Sequence, residues 1–390
     1  MTRLQRFRAF MARMNPTADP AKAIAGGLFV ERPGGSVWSE LKSRLEVDPV
    51  SSHVVLGGIG SGKTSELIII AEKLKASLQP EGDHVEYIDV SKQFSLDSRA
   101  RSGVLVALAG LGLARSQPKD ERSPEFVKAV KSLYTFAYGY QSDDDFSHQF
   151  PGVLDDTYRG NDPPNSLEHA GNLPALLKHR NGGGKHAVFL FDSLDRLPNP
   201  ENFVTLVQHD IAALKRVGIG VVVVGPVRYV PGNDRGLVEL FDHPHFQLSV
   251  DTQNESEFAF LCDVLRRRAD PDVLPDMCLR PLVLASGGVL RDLITLAKRA
   301  AEEAYVGGRD SVQLQDVVTA RDAMGRGLAI GLDDEQLVAL RKVHASEKFI
   351  VRGERELSLL ETRRVLMYEG NRWVVHPALA PLLGLMPEVA

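Results

Sequence analysis

The segment Gly57-Gly58-Ile59-Gly60-Ser61-Gly62-Lys63-Thr64 constrains this chain more than any other feature. It is a complete G-x-x-x-x-G-K-T pattern. The short apolar run Val54-Val55-Leu56, which reads as a buried strand, precedes it, and a helix-forming stretch from Lys63 to about Leu78 follows. A strand, a glycine-rich turn and a helix in that order make a phosphate cradle. The glycines let backbone N–H groups turn inward with no Cβ in the way. The helix that begins near Gly62 adds its positive dipole end and its unpaired amides. Lys63 is placed to reach the β- and γ-phosphates, and the Thr64 hydroxyl to ligate Mg²⁺. The candidate nucleotide-binding set is therefore Gly57, Gly58, Ile59, Gly60, Ser61, Gly62, Lys63 and Thr64, with the adjoining Ser65.

Strands and helices alternate around this loop. Residues 84–90, 187–191, 220–224 and 246–250 read as strands, and 37–45, 98–115 and 201–217 as helices. Nearly continuous apolar strands alternating with helices indicate a parallel sheet covered on both faces. Residues 25–251 thus read as one α/β domain, a P-loop NTPase core. An insert at about 116–184 carries Asp143-Asp144-Asp145, Pro163-Pro164 and Gly182-Gly183-Gly184, and reads as a decoration or a binding module. Beyond residue 252 the strands stop, and helical patterns over 253–269, 288–306 and 311–326 indicate a helical lid, 252–330. A helix around Leu337, Leu340 and Val343, another over 356–367, the strand-like Arg372-Trp373-Val374-Val375 and a short Leu-rich helix read as a winged-helix domain, 331–390. Residues 1–24 read as a basic tail, docked or frayed, with a membrane-surface helix as the alternative.

Composition narrows the function classes. A chain of 390 residues implies two to three domains at roughly 150 residues each. Hydrophobic residues at 43% and charged residues at 25% exclude wholesale disorder. A net charge of -5 argues against a chain coated in cations for non-specific nucleic-acid binding. The two cysteines, Cys262 and Cys278, exclude a disulfide framework and fit a reducing cytoplasm. No apolar run reaches the roughly 18 residues of a membrane helix, and Met1–Asn15 lacks the apolar stretch of a secretory signal.

Bound Mg²⁺ also calls for a carboxylate at the end of a neighbouring strand. Asp192, after Val188-Phe189-Leu190-Phe191, occupies that Walker B position. The place directly after it, where many related ATPases carry a water-polarising Glu, is Ser193. Asp195 is the substitute candidate, with a helix cap or a pair with Arg196 as its alternative roles.

Together these residues resemble the AAA+ and STAND branch of P-loop ATPases, including origin-initiator and KAP-like relatives, over about residues 25–390. The resemblance implies ATP as the nucleotide. It also implies that Phe29 and Val30, in Leu28-Phe29-Val30-Glu31-Arg32-Pro33, line an adenine pocket; ordinary packing is the other reading. Gly225-Pro226-Val227-Arg228 is similar to an Arg-bearing sensor segment, but it lacks the Asn, Thr or Ser that AAA+ members carry at the strand end. Arg228 is then a γ-phosphate sensor or a surface partner. Ser286-Gly287-Gly288-Val289-Leu290-Arg291 resembles the start of a lid helix whose arginine, here Arg291, reaches the γ-phosphate; a solvated helix arginine is the alternative. Arg228 and Arg235 lie near the region of an arginine finger without diagnostic spacing. The guanine-specifying N-K-x-D motif of GTPases is absent.

The resemblance therefore implies a cytoplasmic ATP/ADP-dependent switch, slow to hydrolyse, with a protein partner or self-assembly, and signalling or phage defence as natural roles. A DNA-handling ATPase and a non-hydrolysing ATP-bound scaffold are the alternatives. Residues 331–390 carry eight Lys plus Arg against nine Asp plus Glu. Any DNA contact there needs a local patch, for which Arg363, Arg364 and Arg372 are the candidates; packing of this domain on the ATPase or on a partner protein is the other reading.

Overall fold

The computed structural model describes residues 1–33, 37–93, 102–116, 126, 128–130, 132–134, 173, 186–197, 200–230 and 235–385. In chain order, the elements before the insert are α1 (Arg3–Arg13), α2 (Pro20–Ala25), α3 (Val37–Val47), β1 (Ser52–Gly57), α4 (Lys63–Leu78), β2 (His84–Asp89) and α5 (Val104–Arg115). After it come β3 (Ala187–Asp192), α6 (Pro200–Arg216), β4 (Ile219–Gly225) and β5 (His243–Gln247). The remainder is α7 (Glu255–Arg268), α8 (Leu279–Ser286), α9 (Leu290–Val306), α10 (Leu314–Ala329), α11 (Asp334–Ser346), α12 (Glu354–Glu361), β6 (Val365–Tyr368) and β7 (Arg372–Val375). The insert's acidic, proline and glycine runs lie outside the described residues. Among those residues, no helix is long and apolar enough to cross a membrane.

The fold is α/β, and the chain divides into two compact units. The first comprises residues 37–56 and 66–245. Its sheet has the order β2-β3-β4-β1-β5, with β2, β3, β4 and β1 parallel. Alternate residues on each strand go to opposite faces. Val55, Val188, Leu190, Val222 and Val224 pack under α3 and α4 with Trp38, Leu41, Leu67 and Leu74. Val54, Leu56, Phe189, Phe191, Val221 and Val223 pack under α5 and α6. Burial on both faces is why these strands read as continuous apolar runs.

α5 is apolar on all sides, and its amino end has no side-chain cap of its own. Asp210 of α6, fully buried, supplies one by accepting from the Gly103 and Leu105 amides at 2.5 and 2.8 Å. Burial pushes its carboxyl up to about 7 against the pull of those amides.

The second unit comprises residues 1–36, 57–65 and 246–390. α1 carries a Thr2/Gln5 capping box and buries Phe7, Phe10 and Met14 in one core with α7–α10. Arg3 seals it by donating to the Tyr305 and Arg309 carbonyls, both at 2.7 Å. The basic amino-terminal stretch is thus a docked helix. α9 buries Leu293, Leu296, Ala297, Ala300, Ala301 and Ala304 along one stripe. α11, α12 and the antiparallel β6–β7 hairpin form the winged helix.

Four expectations change. The strand expected at 246–250 is β5 at His243–Gln247. Beyond its end, the Ser249 and Val250 amides are taken by the carbonyls of Met367 and Gly288. The helix expected over 356–367 stops at Glu361, because Arg363 turns to φ 60 and the chain re-enters as β6. The Leu-rich terminal helix is a short 3-10 turn, Ala380–Leu383. α8 was not expected from the sequence.

Candidate nucleotide site

The glycine-rich loop 57–65 and the start of α9 belong to the same unit. Gly60 and Gly62 adopt φ 86 and 95, the left-handed region that disfavours a side chain. A Cβ on Gly60 would fall 2.7 Å from Arg291 Cβ, and one on Gly62 would fall 2.9 Å from Leu290 Cδ1. The loop is therefore pinched by the first residues of the lid helix. The Arg291 amide donates to the Gly60 carbonyl at 3.2 Å, and Gln247 Nε2 donates to the Ser61 carbonyl at 3.4 Å.

Lys63, in the first turn of α4, is only 5% exposed. Its Nζ donates to the carbonyls of Gly57 and Gly58 at 2.8 and 2.9 Å. The Ser61 hydroxyl and the Ser61 amide also donate to Gly58 O, at 2.9 and 3.4 Å. The ammonium thus lies folded along the loop, with its carbonyls satisfied on one side. Thr64 and Ser65 follow in the same helical turn, half-buried, and Gly58 and Ile59 are likewise half-buried. Phe29 and Val30 lie half-buried in the irregular segment after α2, Val30 against the lid core. Arg32 pairs with Glu257 of α7 at 3.2 Å.

Asp192, Asp195 and Arg228 belong to the other unit. Asp192 ends β3 and is 1% exposed. Its Oδ1 accepts from the Ser193 amide at 2.7 Å and its Oδ2 from the Tyr87 hydroxyl at 2.9 Å. Burial, then the charges of Asp192 and Asp89, push the Tyr87 phenol far up, so it stays a donor. Ser193 sits at φ 71, and its hydroxyl donates to Asp89 at 2.7 Å. Asp195 follows, half-buried, in the 3-10 turn Leu194–Arg196. Arg228 is half-buried in the turn Val227–Tyr229, where Tyr229 stacks on Phe203 at 5.5 Å. Arg235 opens the short helix Arg235–Val238.

Sequence reasoning missed Asp89. It ends β2 in register with Asp192 at the end of β3, so two carboxylates stand side by side with the Ser193 backbone and hydroxyl between them. Burial pushes the Asp89 carboxyl up, but the Ser91 and Ser193 hydroxyls and Lys92 outweigh it and hold Asp89 below the usual range. An acid closing the strand-like run His84–Asp89 was the available signal.

In the winged helix, the three arginines that are candidates for a phosphate-facing patch have internal partners. Arg363 forms a two-pronged pair with Asp292 at 2.9 and 3.0 Å. Arg364 donates to the Leu328 carbonyl at 2.7 Å and also to that of Ile330. Arg372 pairs with Asp251 at 2.7 Å and lies over the Tyr368 ring. The charge count was right, but the direction of the side chains was not readable from it.

No protein-family model matches the chain, and no curated protein sequence matches it. Among solved structures, it is similar to the Aeropyrum pernix ORC2 protein in its ADPNP–ADP complexes: 16% identity, TM-score 0.45, over 91% of this chain and 94% of that one. It is also similar to Cdc6p from Pyrobaculum aerophilum, with 14% identity, TM-score 0.44 and 96% of each chain covered. A third similarity is to the RuvB Holliday junction branch migration motor of Thermotoga maritima, with 16% identity, TM-score 0.38 and 90% and 93% covered.

Proposed function

We propose that this chain binds ATP on the loop 57–65 and works as a nucleotide-dependent switch with slow turnover. The arrangement that carries this reading is the loop itself. Buried Lys63 lies along it, two left-handed glycines shape it, and the amide of Arg291 is fixed to its Gly60 carbonyl. Arg291, at the start of the lid helix, is the residue that distinguishes ATP from ADP, because its guanidinium meets a γ-phosphate in one state and none in the other. A ligand shifts a conformational equilibrium only by its differential affinity for the two states. The Thr64 hydroxyl and the Asp192 carboxylate are oxygen donors of the type Mg²⁺ takes, and that ion uses few protein ligands alongside phosphates and water. When bound, it neutralises phosphate charge. The division into a core at 25–251, a lid at 252–330 and a winged helix at 331–390 belongs to the same reading, as do cytoplasmic residence and a role in signalling or phage defence.

The test is Lys63→Ala. Loss of a charge-assisted contact of about 1.5–3 kcal/mol should weaken ATP binding roughly ten- to hundredfold, read by calorimetric titration. Unchanged affinity would remove the loop from the site.

A DNA-contacting reading rests on a different set of cations from the one expected. Arg341 and Lys342 near the end of α11, with Lys348 and Arg352 in the loop that follows, are exposed, and among the described residues none of them is in an ion pair. Phosphate contacts of this kind bind without reading sequence. Fluorescence anisotropy with duplex DNA should show salt-dependent binding. Arg341→Glu combined with Lys348→Glu should weaken it and flatten the log–log salt slope by about 0.9 per lost contact. A wild-type chain that shows no salt-dependent binding ends this reading.

A further inference from the structure

The first residues of the lid helix are held from two directions. Towards the loop, the Arg291 amide is bonded to Gly60 O, and Leu290 lies close to Gly62. Towards the winged helix, the next residue, Asp292, is 4% exposed and receives both prongs of Arg363. His376 Nε2 lies 3.4 Å from the same carboxylate. His376 is itself fully buried, and its Nδ1 accepts the Ala378 amide at 3.1 Å, which places the ring proton of the neutral tautomer on Nε2, facing Asp292. The Tyr368 hydroxyl donates to the Gly287 carbonyl at 2.8 Å, just before the helix. Val289, Leu366 and Tyr368 complete the contact with an apolar cluster. Burial pushes the Asp292 carboxyl up, but His376 and Arg363 outweigh it and hold it below the usual carboxylate range.

A buried ion pair of this sort is weak evidence for stability, since apolar residues of similar volume hold two elements together as well or better. What a forked pair adds is a fixed register between its two elements. The loop supplies a way to move that register. The Gly60–Ser61 peptide offers its carbonyl to Arg291 and its N–H to Gly58 O, the latter at a slack 3.4 Å. A phosphate oxygen in the loop competes for that N–H. Turning this peptide plane moves the carbonyl that anchors α9.

We propose that Asp292 is a positioning residue that couples phosphate occupancy of the loop to the winged helix, through Gly60, Arg291 and the Asp292–Arg363–His376 cluster. The proposal rests on the reading that the loop takes nucleotide. It adds that the part of the protein responding to the phosphate is the β6–β7 hairpin with its flanking turns, 363–376.

Hydrogen exchange on the full chain, with and without a saturating non-hydrolysable ATP analogue, tests it. In the wild type, the analogue should protect 57–65 and change exchange across 363–376 at least fivefold. In Asp292→Asn, affinity should stay within about threefold and protection at 57–65 should persist, while the response at 363–376 falls below twofold. Arg363→Gln breaks the same pair from the other side and should behave alike, so a folding failure in one variant leaves the other to decide. A full response at 363–376 in a folded variant overturns the coupling, as does a wild type in which 57–65 is protected and 363–376 is silent. If the wild type shows no protection at 57–65, the nucleotide reading itself fails, and the coupling fails with it.

Discussion

Replacing Gly288 with alanine should destabilise the lid and winged helix by about 3–5 kcal/mol, from combined overpacking and left-handed strain. Gly288 adopts φ 73, and a Cβ there would lie 1.7 Å from the Val250 carbonyl oxygen and 2.7 Å from its carbon. Both obstacles are backbone atoms, so no rotamer change relieves them. The Val250 amide is itself bonded to Gly288 O at 3.2 Å, so pushing the two segments apart also breaks that bond. The damage would spread, because Ser249 is bonded to Met367 and Asp251 is paired with Arg372. Gly27→Ala is the control. Gly27 has nearly the same φ, 70, but no heavy atom within 4 Å of the added carbon, leaving only a conformational cost of about 1–2 kcal/mol. Thermal unfolding should show a much lower midpoint for Gly288→Ala than for Gly27→Ala. Equal shifts would mean that the Val250 segment yields and that the close approach is not a constraint.

The parts of the fold readable in the sequence are those whose neighbours are local or uniformly apolar. The bounds of α4 follow from the loop motif and the helix it must start. β3 and β4 show themselves because both of their faces are buried, so no polar residue interrupts Val188–Phe191 or Val221–Val224. β5 is hidden for the opposite reason. It is an edge strand carrying His243, Pro244 and His245, and its polar composition resembles a loop. The misplaced strand at 246–250 drew on Val250, whose backbone partner is Gly288, far along the chain. The end of α12 is equally obscure, since the helical spacing of Leu357, Leu360 and Val365 continues past the left-handed Arg363.

At the site, a motif fixes Lys63 because several residues must agree within eight positions. No such redundancy attends Asp89 or Asp292. Each is a single acid whose role appears only when a partner distant in sequence, Ser193 or Arg363, is brought to it. A count of basic residues likewise treats Arg363 and Arg352 alike, although one is paired inward and the other is exposed.

Asp195→Asn should cut ATP turnover by about 10²–10⁴, the usual effect of removing a general base, while leaving ATP affinity largely intact. Three acids compete for the role, and their surroundings separate them. Asp192 is buried at the end of β3, with its two oxygens accepting from Ser193 and Tyr87. Asp89 accepts from the hydroxyls of Ser91 and Ser193 and lies near Lys92. These contacts hold it below the usual carboxylate range, so it is a poor proton acceptor. Asp195 lies one 3-10 turn further on and is half-buried. Asp89→Asn should therefore leave turnover within a few-fold of wild type, with its main effect on the setting of Ser193. Single-turnover phosphate release measured on both variants, beside ATP titrations, discriminates the acids. A collapse in Asp89→Asn with Asp195→Asn unaffected would move the base to the β2–β3 pair. Wild-type rates in both would place the attacking water's partner on neither acid.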